Sequence, residues 1–208
     1  MVQIAHAGGN EEKINEILIA AQNRFGRFGF NKTTMQEIAE DLGISKASLY
    51  YYFPDKEQLF RSVFTKEQQE FIENLHKAID QSDVAEELIF EFLQLRISNF
   101  KMFINLGRAS LEEFKGIKII VKDLWEDFRK KEVEEIKRIL EKGIQNNQFD
   151  IESSEDLAVL YLDIIRGLGH LYMKSHVLTS LTEQDYASVE EKLRRFTTIF
   201  IRGIRKIK

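Results

Sequence analysis

Apolar side chains at Ile14, Ile17, Leu18, Ala21, Phe25 and Phe28 recur at three- and four-residue steps, which places them on one stripe of a helix starting near Glu11. Gly29 closes that helix, because the left-handed residue past a last turn is best tolerated where no Cβ is present. Thr34-Met35-Gln36-Glu37 has the composition of a capping box, in which the threonine oxygen accepts an amide three residues on and the glutamate reaches back. A second helix therefore begins at Thr34 and buries Ile38, Ala39 and Leu42. Gly43 stops it at once, and Ser45 caps a third helix running through Tyr52. Phe53 precedes Pro54 and is driven out of helical angles, so the third helix ends there. Asp55 to Gln58 repeats a capping arrangement, and Leu59, Phe60, Val63, Phe64, Phe71, Ile72 and Leu75 sustain a long helix to about Ile79.

Beyond Ser82 the period stays helical, over about Val84 to Ile104, a short piece near Arg108 to Phe114, Lys118 to Ile144, Ser154 to Val177, and Thr182 to Lys206. No strand pattern stands out. The linker-like stretches are the start, Met1 to Asn10 with Ala7-Gly8-Gly9, expected to be a flexible tail, and the polar turn Gln145 to Gln148.

Composition reinforces this reading. One proline and 11 glycines in 208 residues, with 31% charged, favour long uninterrupted helices, so the expected class is all-α. The absence of cysteine excludes disulfides, thiolate catalysis and sulfur-ligated metal. There is no secretory signal and no apolar run of the ~20 residues that a bilayer requires, so the expectation is a soluble, cytoplasmic protein with no membrane partner. A formal net charge of -4 argues against a polycation that coats nucleic acid, but not against a local reading face.

Such a face is present on the third helix. With Ile38, Leu42, Ile44, Leu49 and Phe53 turned inward, the residues left outside are Lys46, Ala47, Ser48, Tyr50, Tyr51 and Tyr52. Adjacent exposed aromatics invite aggregation unless a partner covers them. In a major groove, Lys46 donates to guanine acceptors, the Ala47 methyl meets a thymine methyl, and Ser48 donates or accepts. Thr34 opens a helix whose free amides attract phosphate, and Gln36 is placed to read adenine. Tyr52 has a second reading, packing on the first helix, and Gln36 another as a plain solvated side chain. Through Phe60, the basic residues Lys13, Arg24, Arg27, Lys32, Lys46 and Lys56 are outnumbered by the acidic ones by two, so non-specific affinity should be modest.

The run from Gly29-Phe30 through Thr33-Thr34-Met35-Gln36-Glu37-Ile38-Ala39, Leu42-Gly43-Ile44-Ser45-Lys46-Ala47-Ser48-Leu49-Tyr50-Tyr51-Tyr52-Phe53 and Asp55-Lys56-Glu57-Gln58-Leu59 closely resembles the DNA-binding segment of the tetracycline-repressor (TetR) family. The resemblance covers about Ile14 to Phe64; the rest is similar only in helix number, order and length. It implies that Tyr51 packs on base edges while Tyr50, Tyr52 and Lys56 hold phosphates. It also implies a helix-turn-helix domain over residues 1–54, an effector-binding and dimerisation domain over 55–208, and a homodimeric repressor of a palindromic duplex operator.

In the larger part, the helix from Ser154 is apolar on nearly every side, which marks burial on more than one face. Leu162, Ile165, Gly169 and Met173, with Phe196, Ile199 and Phe200 on the last helix, are the expected dimer interface, a four-helix bundle about a two-fold axis. Phe100, Phe103, Trp125, Phe128 and Tyr161 are core residues by default. The resemblance makes them candidates to line a cavity for a small, mostly apolar effector, oriented by Asn99, Asp163, Arg166 and His170, although Asp163 and Arg166 could instead pair with each other at i, i+3. His6, His76, His170 and His176 have no metal-ligand spacing, and there is no phosphate loop or nucleophile elbow, so neither metal, cofactor nor catalysis is expected. A helical interaction module without DNA binding stays as the other reading.

Overall fold

The computed structural model describes residues 3–106, 119–176 and 183–206, with side chains at 10–99, 119–169, 184 and 186–206. Among these lie eight helices: α1 (Gln3–Phe28), α2 (Met35–Asp41), α3 (Lys46–Tyr52), α4 (Lys56–Gln81), α5 (Ala85–Leu106), α6 (Lys122–Gln145), α7 (Ser154–His176) and α8 (Glu183–Ile204). The class is all-α, as the periodicity indicated. The start departs from expectation, since α1 runs back to Gln3 through Gly8 and Gly9 where a flexible tail was expected. Two glycines lower helix propensity by about 1 kcal/mol each without forbidding the conformation. The short piece expected near Arg108 to Phe114 lies outside the described residues.

The chain divides into two compact units, Met1–Gln68 with Met102–Lys122, and Gln69–Lys101 with Asp123–Lys208. In the first, Ile17, Ala21 and Phe25 of α1 close over Met35, Ile38 and Ala39 of α2, Leu49 of α3, and Leu59, Phe60 and Val63 of α4. Phe25, Phe30 and Phe60 form a triangle of rings with centroids 5.0 to 5.8 Å apart. Phe28, expected on the buried stripe, is exposed instead and lies under the guanidinium groups of Arg24 and Arg27.

The second unit has its own core, made by Phe71, Leu75 and Ile79 of α4, Leu88 to Ile97 of α5, Phe128 to Leu140 of α6, Ala158 to Ile165 of α7, and Val189 to Ile204 of α8. The polar turn after α6 is a clasp rather than a loose linker. Asn147 takes a positive φ of 55°, and the Gln148 side chain accepts from Ala85 N at 2.8 Å while donating to Asp83 O at 2.6 Å, which caps the start of α5. Phe149 pairs with Arg205 in an isolated antiparallel bridge that ties down the end of α8. No helix among the described residues is long and apolar enough to cross a membrane.

Candidate nucleic-acid interface

The three short elements that present the candidate face are set by local chemistry. Thr33, fully buried, donates its hydroxyl to Gly29 O at 2.8 Å and so closes the turn out of α1, where Gly29 has a φ of 83°. Thr34 then forms the anticipated capping box: its Oγ1 accepts from Glu37 N at 3.3 Å, and its own amide donates to Glu37 Oε2 at 2.8 Å. The Thr34 hydroxyl also donates to Glu37 Oε2 at 2.8 Å, and this bond first, with the one from the Thr34 amide, holds the Glu37 carboxyl below its ordinary range. At the other end of α2, Gly43 N donates to Glu40 O and Ile44 N to Ala39 O, both at 3.0 Å, with Gly43 at a φ of 64°. This paired C-terminal bonding needs a left-handed residue, which explains the glycine. Ser45 caps α3 by accepting from Ser48 N at 3.0 Å.

Of the seven residues of α3, only Leu49 is buried. Tyr51 is 81% exposed and Tyr50 42% exposed; Lys46 and Ala47 are exposed, while Ser48 and Tyr52 are half-buried. The Tyr51 and Tyr52 rings meet edge to face at 5.1 Å, so Tyr52 props the more exposed ring. Lys46 Nζ lies 5.7 Å from the centre of the Tyr50 ring. These side chains form one contiguous ridge of cation, hydroxyl and aromatic face.

Thr34 and Gln36 are exposed on α2, where Gln36 donates to Glu40 Oε1 at 2.8 Å. Lys56 lies deeper than a surface phosphate ligand. Its ammonium donates to Phe30 O at 2.8 Å and Thr33 O at 2.9 Å and sits 4.4 Å from the Phe30 ring centre, and burial lowers its pKa. Two of its three protons thus lock the turn before α2, leaving one for a phosphate.

Three of the segment's carboxylates are engaged within it, although they stay exposed or half-exposed. Arg24 grips Asp41 through two bonds of 2.6 and 3.0 Å and reaches Glu37 at 3.0 Å, and Asp55 caps Gln58 N at 2.7 Å. The bond to Arg24 lowers the Asp41 carboxyl pKa, and the bond to Asp41 raises that of the guanidinium. Carboxylates held this way oppose DNA less than their number suggests.

Against this geometry, comparison with known proteins is decisive. The profile for bacterial regulatory proteins of the tetR family matches residues 17–63, and that for the QacR-like protein C-terminal region matches residues 67–206. The chain belongs to the TetR family. This TetR-family chain is 24% identical to the HTH-type transcriptional regulator RutR of Escherichia coli K12 over 194 residues, covering 93% of this chain and 91% of RutR. It is 30% identical over 107 residues to the biofilm operon negative transcriptional regulator IcaR of Staphylococcus aureus, covering 49% of this chain and 57% of that one. A solved transcriptional regulator from Cytophaga hutchinsonii superposes with a TM-score of 0.87 at 32% identity, covering 93% of this chain and 99% of that one. The TetR-family chain is therefore a transcriptional regulator and not an enzyme, with an N-terminal helix-turn-helix followed by a helical domain.

The residues expected to serve the larger domain divide sharply. Leu162 and Tyr161 are fully enclosed within the protomer, Phe128 and Ile165 nearly so, and Gly169 is buried as well. Leu162, Ile165 and Gly169 therefore face the protomer's own core and not a partner, while Phe128 and Tyr161 are core residues, with the Tyr161 hydroxyl bonded to Thr197 Oγ1 at 2.9 Å. A helix apolar all round gives no sign of which side faces inward, which is why periodicity alone puts Leu162, Ile165 and Gly169 at an interface. Phe196 and Phe200 are half-buried against Tyr161, whereas Ile199 is 60% exposed and Leu160, next to Tyr161 in the chain, is 51% exposed. Asp163 is not inside a cavity: it is exposed and pairs with Arg129 at 2.8 Å rather than with Arg166, which turns to Glu132. Asn99 and Trp125 are half-buried. The side chains of Phe100, Phe103, His170 and Met173 lie outside the described residues.

Sequence reasoning missed Arg96 and Glu132, a buried ion pair of 2.9 Å that joins α5 to α6. Thirty-six positions separate them, and no local pattern announces such a pairing.

Proposed function

We propose that this regulator is a ligand-responsive repressor that binds a palindromic duplex operator as a homodimer. Residues 1–54 read the DNA, and residues 55–208 supply the effector site and the two-fold interface. The observation that carries the reading is α3 itself, a capped helix that buries one residue and presents Lys46, Tyr50 and Tyr51 outward. A single seven-residue helix reads too few base pairs for selectivity, so two copies about one helical turn of DNA apart are required. Tyr51 and Lys46 contact bases, with Ala47, Ser48 and Gln36 beside them. Tyr50, Tyr52, Thr34 and the remaining Lys56 proton hold phosphates and set register.

The dimer forms across the outward faces of α7 and α8, where Leu160 and Ile199 are exposed, with Phe196 and Phe200 behind them. A small, mostly apolar effector acts by population shift: it favours an arrangement of the dimer in which the two reading helices fall out of register with successive major grooves. Support for repression comes from the relative named as a negative regulator. Selection from random duplexes, followed by titration of the winning sequence, tests the reading. A two-fold enriched motif bound with a stoichiometry of two chains is expected; a dimer that binds no duplex even at low salt would overturn it.

A further inference from the structure

Five charged side chains of α5, α6 and α7 form one cluster, two of whose arginines lie beside Trp125. Glu132 is fully buried, with Arg96 Nη1 2.9 Å from its Oε1 and Arg166 Nη1 3.4 Å from its Oε2. The Arg96 contact is an ion pair off the N–H direction, and Glu132 Oε1 has no hydrogen-bond partner although it is sealed from solvent. The guanidinium carbons of Arg96 and Arg166 stand 5.9 and 5.4 Å from the centre of the indole ring. Arg129, paired with Asp163 at 2.8 Å and partly exposed, acts on Glu132 and Arg166 through its charge.

Among the described residues of the cluster, three guanidinium groups therefore face two carboxylates. The cluster is net positive with Glu132 ionised, and more so with it protonated, the direction in which burial pushes this carboxyl against the pull of the arginines. Arg166 keeps about a fifth of its side chain accessible and, among the described residues, makes a long bond to Glu132. Arg96 and Arg166, 10% and 21% exposed in their side chains, share the one buried carboxylate of Glu132, and positive charge in excess there is costly unless an anion shares it. Guanidinium presents a planar fork that fits a carboxylate bidentately, and the half-buried indole beside it offers a flat apolar wall.

We propose that this cluster is the effector site of the regulator, and that it takes a small organic anion, an aromatic or otherwise flat carboxylate, with the carboxylate on Arg166 and Arg96 and the apolar body against Trp125. This rests on the ligand-responsive reading given for the function and narrows its effector to a chemical class. A cationic effector is disfavoured by the three arginines, and a neutral one leaves the charge excess in place.

Trp125 is the single tryptophan of the chain, so its fluorescence reports on the site alone. The full-length protein is titrated with benzoate and phenylacetate, with benzamide as the neutral isostere and with phenyltrimethylammonium as the cation. The carboxylates should give a saturable change, and benzamide should bind about tenfold or more weakly, the loss expected when a charge-assisted bond goes. Arg166→Gln should weaken benzoate by a similar factor, whereas Lys130→Gln, the same charge change on an exposed position of α6, should not. Glu132→Gln removes the competing carboxylate and should tighten benzoate, a change of sign that misfolding cannot imitate. Benzamide or the ammonium compound binding as well as benzoate, or no saturable response to either carboxylate, overturns the proposal. No DNA enters this measurement. Benzoate that binds while the operator complex persists upholds the anion site and removes the release step from the proposed function.

Discussion

The hydroxyls of Tyr161 and Thr197 meet at 2.9 Å, both side chains fully enclosed between α7 and α8. Burial raises the Tyr161 pKa further above its ordinary value, so the phenol stays neutral and this bond is its role. Tyr161→Phe leaves the Thr197 hydroxyl without its partner in a dry core and should cost about 1–3 kcal/mol in chemical denaturation. Benzoate binding at Trp125 should be unchanged in that variant, which separates a core tyrosine from a ligand-contacting one.

The exposed ridge of α3 makes the opposite expectation. Tyr51→Ala and Lys46→Ala should each weaken operator binding by about 1–3 kcal/mol in fluorescence anisotropy and relax preference at the base pair they touch. Neither change should move the melting temperature appreciably, because neither side chain is part of the core. Equal affinity of the Tyr51 variant for every duplex tested would place that ring outside the groove.

Acid should loosen the helix-turn-helix through Glu37 and Asp41. Both carboxyls titrate below their ordinary values of 4.5 and 3.8 in the folded protein, held by Thr34 and Arg24 respectively. A depressed acid contributes stability that is present above its unfolded pKa and is lost as pH falls through the folded one. Thermal stability of the wild type should therefore decline as pH drops below about 4, and Thr34→Ala, which removes the largest cause of the Glu37 shift, should flatten that decline. A parallel slope in wild type and variant would dissociate the capping box from the titration.

Two isosteric-looking positions on α7 should behave in contrasting ways. Leu160→Glu combined with Ile199→Glu places charge on outward faces, so the protomer should stay folded while light scattering reports the 24.4 kDa chain as a monomer and operator affinity collapses. Leu162→Glu buries an unpaired carboxylate in the core and should instead prevent stable folding. A doubly substituted chain that remains dimeric would move the interface elsewhere.

What could be read in advance follows a physical line. Thr34, Glu37, Gly43 and Ser45 act on amides within four residues of themselves, so their roles were visible along the chain, and the structure realises each of them. The period of α7 announced a buried helix but not its orientation, because Leu160 and Leu162 are alike in chemistry and differ only in what lies across from them. The resemblance gives Lys56 only as a phosphate holder; its carbonyl partners, Phe30 and Thr33, lie more than twenty positions away and leave no local pattern. The Arg96, Glu132 and Arg166 cluster is likewise assembled by packing, from three helices whose sequences give no hint of one another.

Because α3 commits a single leucine to the core, the side chains proposed to choose a DNA address and those that make the protein fold are different ones. Binding preference in this molecule is thus free to drift, or to be rewritten in the laboratory, at Lys46, Ala47, Tyr50 and Tyr51 without endangering the scaffold that carries them.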